Sequence, residues 1–486
     1  MTMKTPAGET APRWQAISDN VHPKDRKPEN DMTHKHALST LFATMLFCGC
    51  ETVKQARVAQ SENDRQPGER TVTAERMGLT KDRPQTLTNL EQTARLYHPT
   101  VFKARQSVES AKLQVHIIRA GRLPSAGASG TYNRSTQNSW GYSTKTGMKG
   151  SWSGSLSLDF LLFDFGKLDA KEKQAIENLI SSQRQLRQTE MDVTYDVQTA
   201  FFELQRAAEL YRVDLESERQ YAEHLDEAKT MAEVGTRRPY DVTKAQVDLG
   251  NARLEVITAS NTLFTARAQL DRNLGLTERT CFEIRYSLMP TNSQTIAELM
   301  SIAETNTPSL AVLAAKTRAA SFAVDEAVAE LYPDLSLGAD ASVSGRGFPL
   351  AWNYSWAAKI VQDLFTGYRK TDTIKQAVAD LRSARADQAD AEQALYLQIV
   401  QAVAQRESSL KSLEVSEMIV HQSKENLDII NEQYRVGLAS SIERTDAQVS
   451  LTKAQGDMVR ARYDYQLALA HIAYLTGQIS SLPPEP

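Results

Sequence analysis

The sequence of 486 residues has only three cysteines, Cys48, Cys50 and Cys281. At those positions they form neither a disulfide framework nor a zinc spacing, and Cys281 reads as a small residue in a linker. Downstream of residue 50 no stretch approaches the ~18 apolar residues of a membrane-spanning helix. Any contact with a bilayer therefore falls to a barrel, a lipid or an interfacial helix. An excess of one charge is also lacking, with 56 Lys and Arg against 60 Asp and Glu, so nucleic acid is not an expected partner. The eight histidines are scattered, and there is no HExxH, GxSxG, P-loop or dinucleotide glycine pattern. No catalytic residue, metal site or cofactor is expected, and the chain does not read as an enzyme.

What is present begins at residues 32–51, MTHKHALSTLFATMLFCGCE, with a basic start, an apolar run from Ala37 to Phe47 and small residues at the end. These are the parts of a secretory signal. The 31 residues before Met32 are polar and without helical period, and are expected to be an upstream extension. The ending LFCGC resembles the bacterial lipoprotein box, which would make Cys50 the lipidated first residue. Phe47 stands where that box prefers leucine, with Leu46 one further out, and Glu51 rather than aspartate follows Cys50. By the rule for such lipoproteins this permits export to the outer membrane. Acyl chains at ~0.8 kcal/mol per buried methylene would hold the N-terminus in that membrane. The alternative is an ordinary cleaved signal in which Cys50 is incidental.

Beyond residue 85 the chain is written twice. Gly166 pairs with Gly367, Gly235 with Gly437 and Gly275 with Gly477, at offsets of 201, 202 and 202. Pro99 pairs with Pro308 and Pro124 with Pro333, both at 209, so one insertion between the second proline and the glycine accounts for the difference. Such self-similarity defines the organisation. Residues 1–31 are the extension, 32–49 the signal and 50–85 a lipid-anchored linker. The first repeat is 86–282, a linker covers 283–292, the second repeat is 293–477 and the tail is 478–486. Each repeat reads as a helix, a β-hairpin, a very long helix, a turn and a returning helix. In the first repeat the opening helix covers roughly 86–121 and the strands lie near 126–133 and 152–163.

Four of the five tryptophans, Trp140, Trp152, Trp352 and Trp356, fall in the two hairpins with Tyr132, Tyr142 and Tyr354. Aromatics on alternating strands suit a lipid-facing barrel wall; a soluble sandwich core would also hold them. After the first turn Val242, Ala245, Leu249, Ala252, Val256, Ala259, Leu263, Ala266 and Leu270 keep a strict 3-4 spacing, matched after the second turn from Ala447 to Ile472. A sustained heptad makes supercoiled helices. From Gly166 to Gly235 is 69 residues and from Gly367 to Gly437 is 70, each ~100 Å as helix. A tube, a stalk or a bridge between membranes needs that length.

The signal, the duplicated plan, the aromatic hairpins and the Val-Gly turns together resemble the TolC family of outer-membrane efflux channels, over about 86–477. The resemblance implies a mainly α fold with a small β part. Three chains would share a 12-stranded barrel, four strands each, above a trimeric α-helical cylinder. It implies an outer-membrane channel of a tripartite efflux or secretion system, with a periplasmic adaptor, an inner-membrane pump and outer-membrane lipid as partners. A lipid-anchored periplasmic coiled-coil scaffold without a pore, or a type I protein-secretion channel, are the alternatives.

By the same resemblance Val234, Gly235 and Thr236, and Val436, Gly437, Leu438 and Ser440, would dock the adaptor at the periplasmic tips. Glu443 and Asp446 would form an acidic, cation-selecting ring, and like charges in it would raise some pKa values. Either acid is equally at home at a solvated helix start. Asp241 and Tyr434 match two members of the family's closing latch. The arginine of that latch is replaced by Ala439; Arg237 and Arg238 are the substitutes at hand, or are simply exposed.

Overall fold

The computed structural model describes residues 56, 73–74, 77–79, 84–135, 149–235, 238–276, 282–291, 293–347 and 349–480. The signal, Cys50, Cys281, Trp140, Tyr142, Thr236 and Arg237 lie outside them. Proline sets the first departure from the sequence expectation. Instead of one helix over 86–121, the chain forms α1 (Leu87–Tyr97) and α2 (Pro99–Ala120), parted at His98 in extended conformation. Pro99 has no N–H to continue the helix and drives the residue before it out of the helical region. The second repeat does the same at Thr307, between α5 (Ile296–Asn306) and α6 (Pro308–Ala329).

The remaining elements come in pairs of like length. Strands β1 (Ser125–Ser135) and β2 (Lys149–Phe163) answer to β3 (Asp334–Gly345) and β4 (Ala351–Val361). Helices α3 (Lys167–Glu233) and α7 (Arg369–Arg435) are 67 residues each, ~100 Å long. The returning α4 (Pro239–Asn273) and α8 (Ser441–Leu475) are 35 residues each. Near its start α3 is tied to α2 by Arg119–Glu172 at 2.6 Å and to α6 by Arg318–Glu177 at 2.9 Å. Lower down it pairs with α4 and touches α8, while α7 pairs with α6 and α8.

The strands form one antiparallel sheet in the order β1-β2-β3-β4, leaving β1 and β4 as edges. Its register sorts side chains onto two unlike faces. Tyr132 stands opposite Trp152, Leu156 opposite Ala341, Phe160 opposite Leu337, and Val343 opposite Trp352. The other face pairs Ser129 with Ser155, Ser157 with Asp340 and Asp340 with Ser355. Among the described residues nothing covers the apolar face: Tyr354 is 75 % and Trp356 78 % exposed. A sheet with one bare aromatic face, one hydroxyl-rich face and two open edges has the form of a segment of barrel wall.

The main core is a belt halfway down, where α1, the middle of α3, the end of α4 and α8 meet around Leu90, Phe201, Phe202, Leu270 and Tyr463. Phe282 at the end of the first repeat and Met289 of the inter-repeat linker are buried in it. Glu91 of α1 is also buried there and accepts a bond of 2.7 Å from Gln198 Nε2. Burial pushes its carboxyl from the ordinary 4.5 up to about 7, against the smaller pull of Gln198 and Arg95. The folded state therefore holds this proton more tightly than the unfolded chain. The contribution of Glu91 to stability is greatest below about pH 4.5, falls as pH rises to about 7 and is level above, a loss of about 3 kcal/mol. Glu91→Gln is expected to abolish that slope and to raise stability at pH 8, since its amide supplies a donor to the unpartnered Gln198 Oε1. Thermal unfolding at pH 5 and pH 8 measures it; a parental pH slope in the variant would disprove it.

Candidate functional site

At the far end from the sheet each long helix reverses. The second turn is a Schellman cap: Gly437 N–H donates to Tyr434 O at 3.1 Å and Leu438 N–H to Gln433 O at 2.8 Å. This cap needs a left-handed residue, and Gly437 has φ +83°. Gly235 takes φ +80° at the first turn, and Pro239 then opens α4 with its fixed φ. The apolar side chains of the turns point into solvent, with Val234 73 %, Val436 70 % and Leu438 81 % exposed. The two tips thus present bare aliphatic groups to solvent.

Ser440 caps α8 reciprocally with Glu443. Its hydroxyl accepts from Glu443 N–H at 3.2 Å, and Glu443 Oε2 accepts from Ser440 N–H at 2.6 Å. The bond from Ser440 N–H first, and then one that the Ser440 hydroxyl donates to the same Oε2 at 3.0 Å, hold the Glu443 carboxyl below its usual range. In the single chain the direction is thus opposite to that expected of a repelling ring. Asp446 is exposed one turn on, and Asp241 lies in the first turn of α4. Ala439 is buried and Arg238 exposed.

Tyr434 is buried, and its ring lies edge-on to His224 of α3 at 5.5 Å and under the Arg444 guanidinium at 5.0 Å. Arg444 Nη1 also reaches Glu227 Oε2 at 2.5 Å and His224 Nδ1 at 2.8 Å. A guanidinium can only donate, so His224 Nδ1 accepts and the ring proton sits on Nε2. Burial first, then the Arg444 charge, lower the His224 pKa to about 4. An arginine does therefore meet Tyr434, from position 444 and not from position 439. Sequence reading passed over Arg444, His224 and Glu227. Arg444, lying between the two acids it did single out, was the available signal.

Above this cluster Gln448 Nε2 bonds Gln220 Oε1 at 2.5 Å and Ser217 faces Thr452 at 3.2 Å. On the α4 side Thr445 donates to Asp248 at 3.1 Å, which Lys244 also meets at 3.2 Å. Neighbouring Tyr221 is pushed up to about 12 by burial, then by Asp248 and Asp446. A groove of about 590 Å³ between α3, α4 and α8 continues upward past Asp214 and Glu255 to Arg460.

The model of a family described as outer membrane efflux protein matches residues 90–276 and 299–478. Among curated proteins, alkaline protease secretion protein AprF of Pseudomonas aeruginosa is 22 % identical over 397 residues, 78 % of this chain and 82 % of AprF. Outer membrane protein TolC of Escherichia coli is 22 % identical over 412 residues, 81 % of this chain and 82 % of TolC. Among solved structures, CusC superposes with a TM-score of 0.72 at 16 % identity, covering 84 % of this chain and 95 % of CusC; its description speaks of transmembrane channel formation.

Proposed function

This chain belongs to the family of outer membrane efflux proteins, and from that membership we propose how it is used. It is the outer-membrane channel of a tripartite efflux system, a passive conduit and not an enzyme. It works as a homotrimer with a periplasmic adaptor and an inner-membrane pump. Three copies of the four-stranded sheet make the barrel, apolar face to lipid and serine-rich face to the lumen. The ~100 Å helices α3 and α7 carry the conduit into the periplasm. The observation that carries this reading is the sheet itself: no scaffold without a pore needs an uncovered aromatic face joined to two open edges.

The tips are the adaptor's landing place, where Val234, Gly235 and Thr236 and, on the other turn, Val436, Gly437, Leu438 and Ser440 meet apolar side chains of the partner. Glu443 and Asp446 face the mouth; Asp241 and Tyr434 belong to its closure. Cys50 is the lipid attachment point that adds an anchor to the barrel. The match with AprF over most of its length supports export of a protein as a second reading, with the inner-membrane pump selecting the cargo.

Single-channel recording of the purified protein in a planar bilayer, with its migration in SDS before and after boiling, tests this. Discrete cation-preferring openings from an SDS-resistant trimer are the expected result. A silent bilayer together with an SDS-sensitive monomer would replace the channel by the coiled-coil scaffold.

A further inference from the structure

The contact between the two helical hairpins changes character along its length. Halfway down it is apolar, with Tyr463 of α8 and Phe202 of α3 in the shared core. Toward the tips each hairpin keeps a private apolar cluster instead. One is Tyr221, Leu249 and Ala252 between α3 and α4; the other is Leu427, Ala447 and Leu451 between α7 and α8. Apart from the Tyr434 ring against His224, what joins the hairpins there is polar, the row from Ser217–Thr452 through Gln220–Gln448 to His224–Arg444. Polar groups that part exchange their bonds for water, whereas apolar surfaces that part do not. The lower seam is therefore the place where the hairpins can separate while the belt above stays closed.

We infer that Arg444, His224 and Glu227 form an acid-released clasp that pins the start of α8, and with it the tip of the second hairpin, against α3. Arg444 is wedged between an anion and a neutral imidazole, with Tyr434 beneath. His224 can serve only while Nδ1 keeps its lone pair. A proton taken there from water removes the acceptor and leaves imidazolium against guanidinium at bonding distance, in a site where His224 is buried and Arg444 only partly open to solvent. His224 Nε2 has no partner among the described residues and sits in a buried site, so no second bond from them holds the ring in place. The groups facing His224 are Arg444 from α8, Tyr434 from α7, Glu227 on its own helix and, from α4, Asp248 and Lys244. The acids favour the proton; burial, Arg444 and Lys244 oppose it and place release near pH 4. That release opens the mouth rests on the channel reading; the clasp itself does not.

Hydrogen exchange read by mass spectrometry on the full-length protein tests the clasp without any need for conduction. Peptides over 441–452 are compared with 459–470 in the same sample, which cancels the intrinsic pH dependence of exchange. Between pH 7 and pH 3.5 the relative protection of 441–452 is expected to fall at least tenfold. His224→Gln, which retains an acceptor that cannot titrate, should keep most of that protection at pH 3.5. Arg444→Gln should have lost it at pH 7 and change little with acid. Parallel loss in the parent and His224→Gln would assign the effect to carboxylates and overturn the clasp. Parental protection in Arg444→Gln at pH 7 would overturn it too. A protein that shows the expected exchange but passes no current in any variant and runs in SDS as a monomer would overturn the channel reading and leave the clasp standing.

Discussion

Gly477→Ala is expected to destabilise the fold far more than Gly437→Ala, although both glycines end returning or long helices at matching φ. Gly477 has φ +71° and Gly437 φ +83°, so each alanine carries the left-handed strain of about 1 kcal/mol or somewhat more. The surroundings decide the rest. A Cβ on Gly477 would stand 2.8 Å from Asn306 O and 3.0 Å from its carbonyl carbon, backbone of the last residue of α5 that cannot swing aside. A Cβ on Gly437 meets nothing within 4 Å. Overpacking against main chain adds about 1–3 kcal/mol, so Gly477→Ala should cost roughly 2–4 kcal/mol in all. Gly275, whose Cβ would touch Pro99 Cδ at 3.3 Å, should fall between. Melting followed by circular dichroism ranks the three, and equal losses at 477 and 437 would refute the argument. The contrast separates two uses of one residue. Gly437 is free of the fold on its outer side, so a β-branched residue there should leave the SDS-resistant trimer intact and weaken adaptor binding. Loss of the trimer instead would make the turn purely structural.

The heptad legible in α4 selects the residues that the fold shields. Val242, Ala245, Leu249, Ala252, Val256, Ala259, Leu263, Ala266 and Leu270 are all buried or half-buried, between neighbours that are mostly exposed. Periodicity does this because one helix face meets one partner. It fails where a helix meets two. α8 buries the seam from Ala447 to Ile472 and also a second stripe with Thr445, Gln448, Val459 and Tyr463, whose lower half is polar and so carries no hydrophobic signal. The clasp lies on that stripe, and His224 and Arg444 are 220 residues apart. Local spacing says which residues face a seam, not which seams meet. The helix breaks at Pro99 and Pro308 were readable from their prolines; the register of the sheet, by contrast, needed the strands side by side.

Replacing Glu443 by Gln and Asp446 by Asn together is expected to lower the cation-to-anion permeability ratio of the channel several-fold. In the proposed trimer three chains would bring six carboxylates to the mouth, and a narrow passage between them would concentrate cations before any pump acts. The nearest cation of the same hairpin does not cancel them, because Arg444 turns back to Glu227 and His224. Glu443 is spent partly on its own helix, since its carboxylate caps Ser440 N–H. That bond has two consequences. It holds the Glu443 pKa below the usual range, so the ring should keep its charge, and the channel its cation preference, as pH falls past the point where ordinary glutamates protonate. It also makes glutamine the right replacement, because an amide oxygen still accepts from Ser440 and preserves the capping box. A change in selectivity then reports lost charge and not an unravelled turn. Reversal potentials in a salt gradient measure it, with block by a multivalent cation as a second readout. Unchanged selectivity in the double variant would return both acids to the role of helix-start residues and move the filter elsewhere along the conduit.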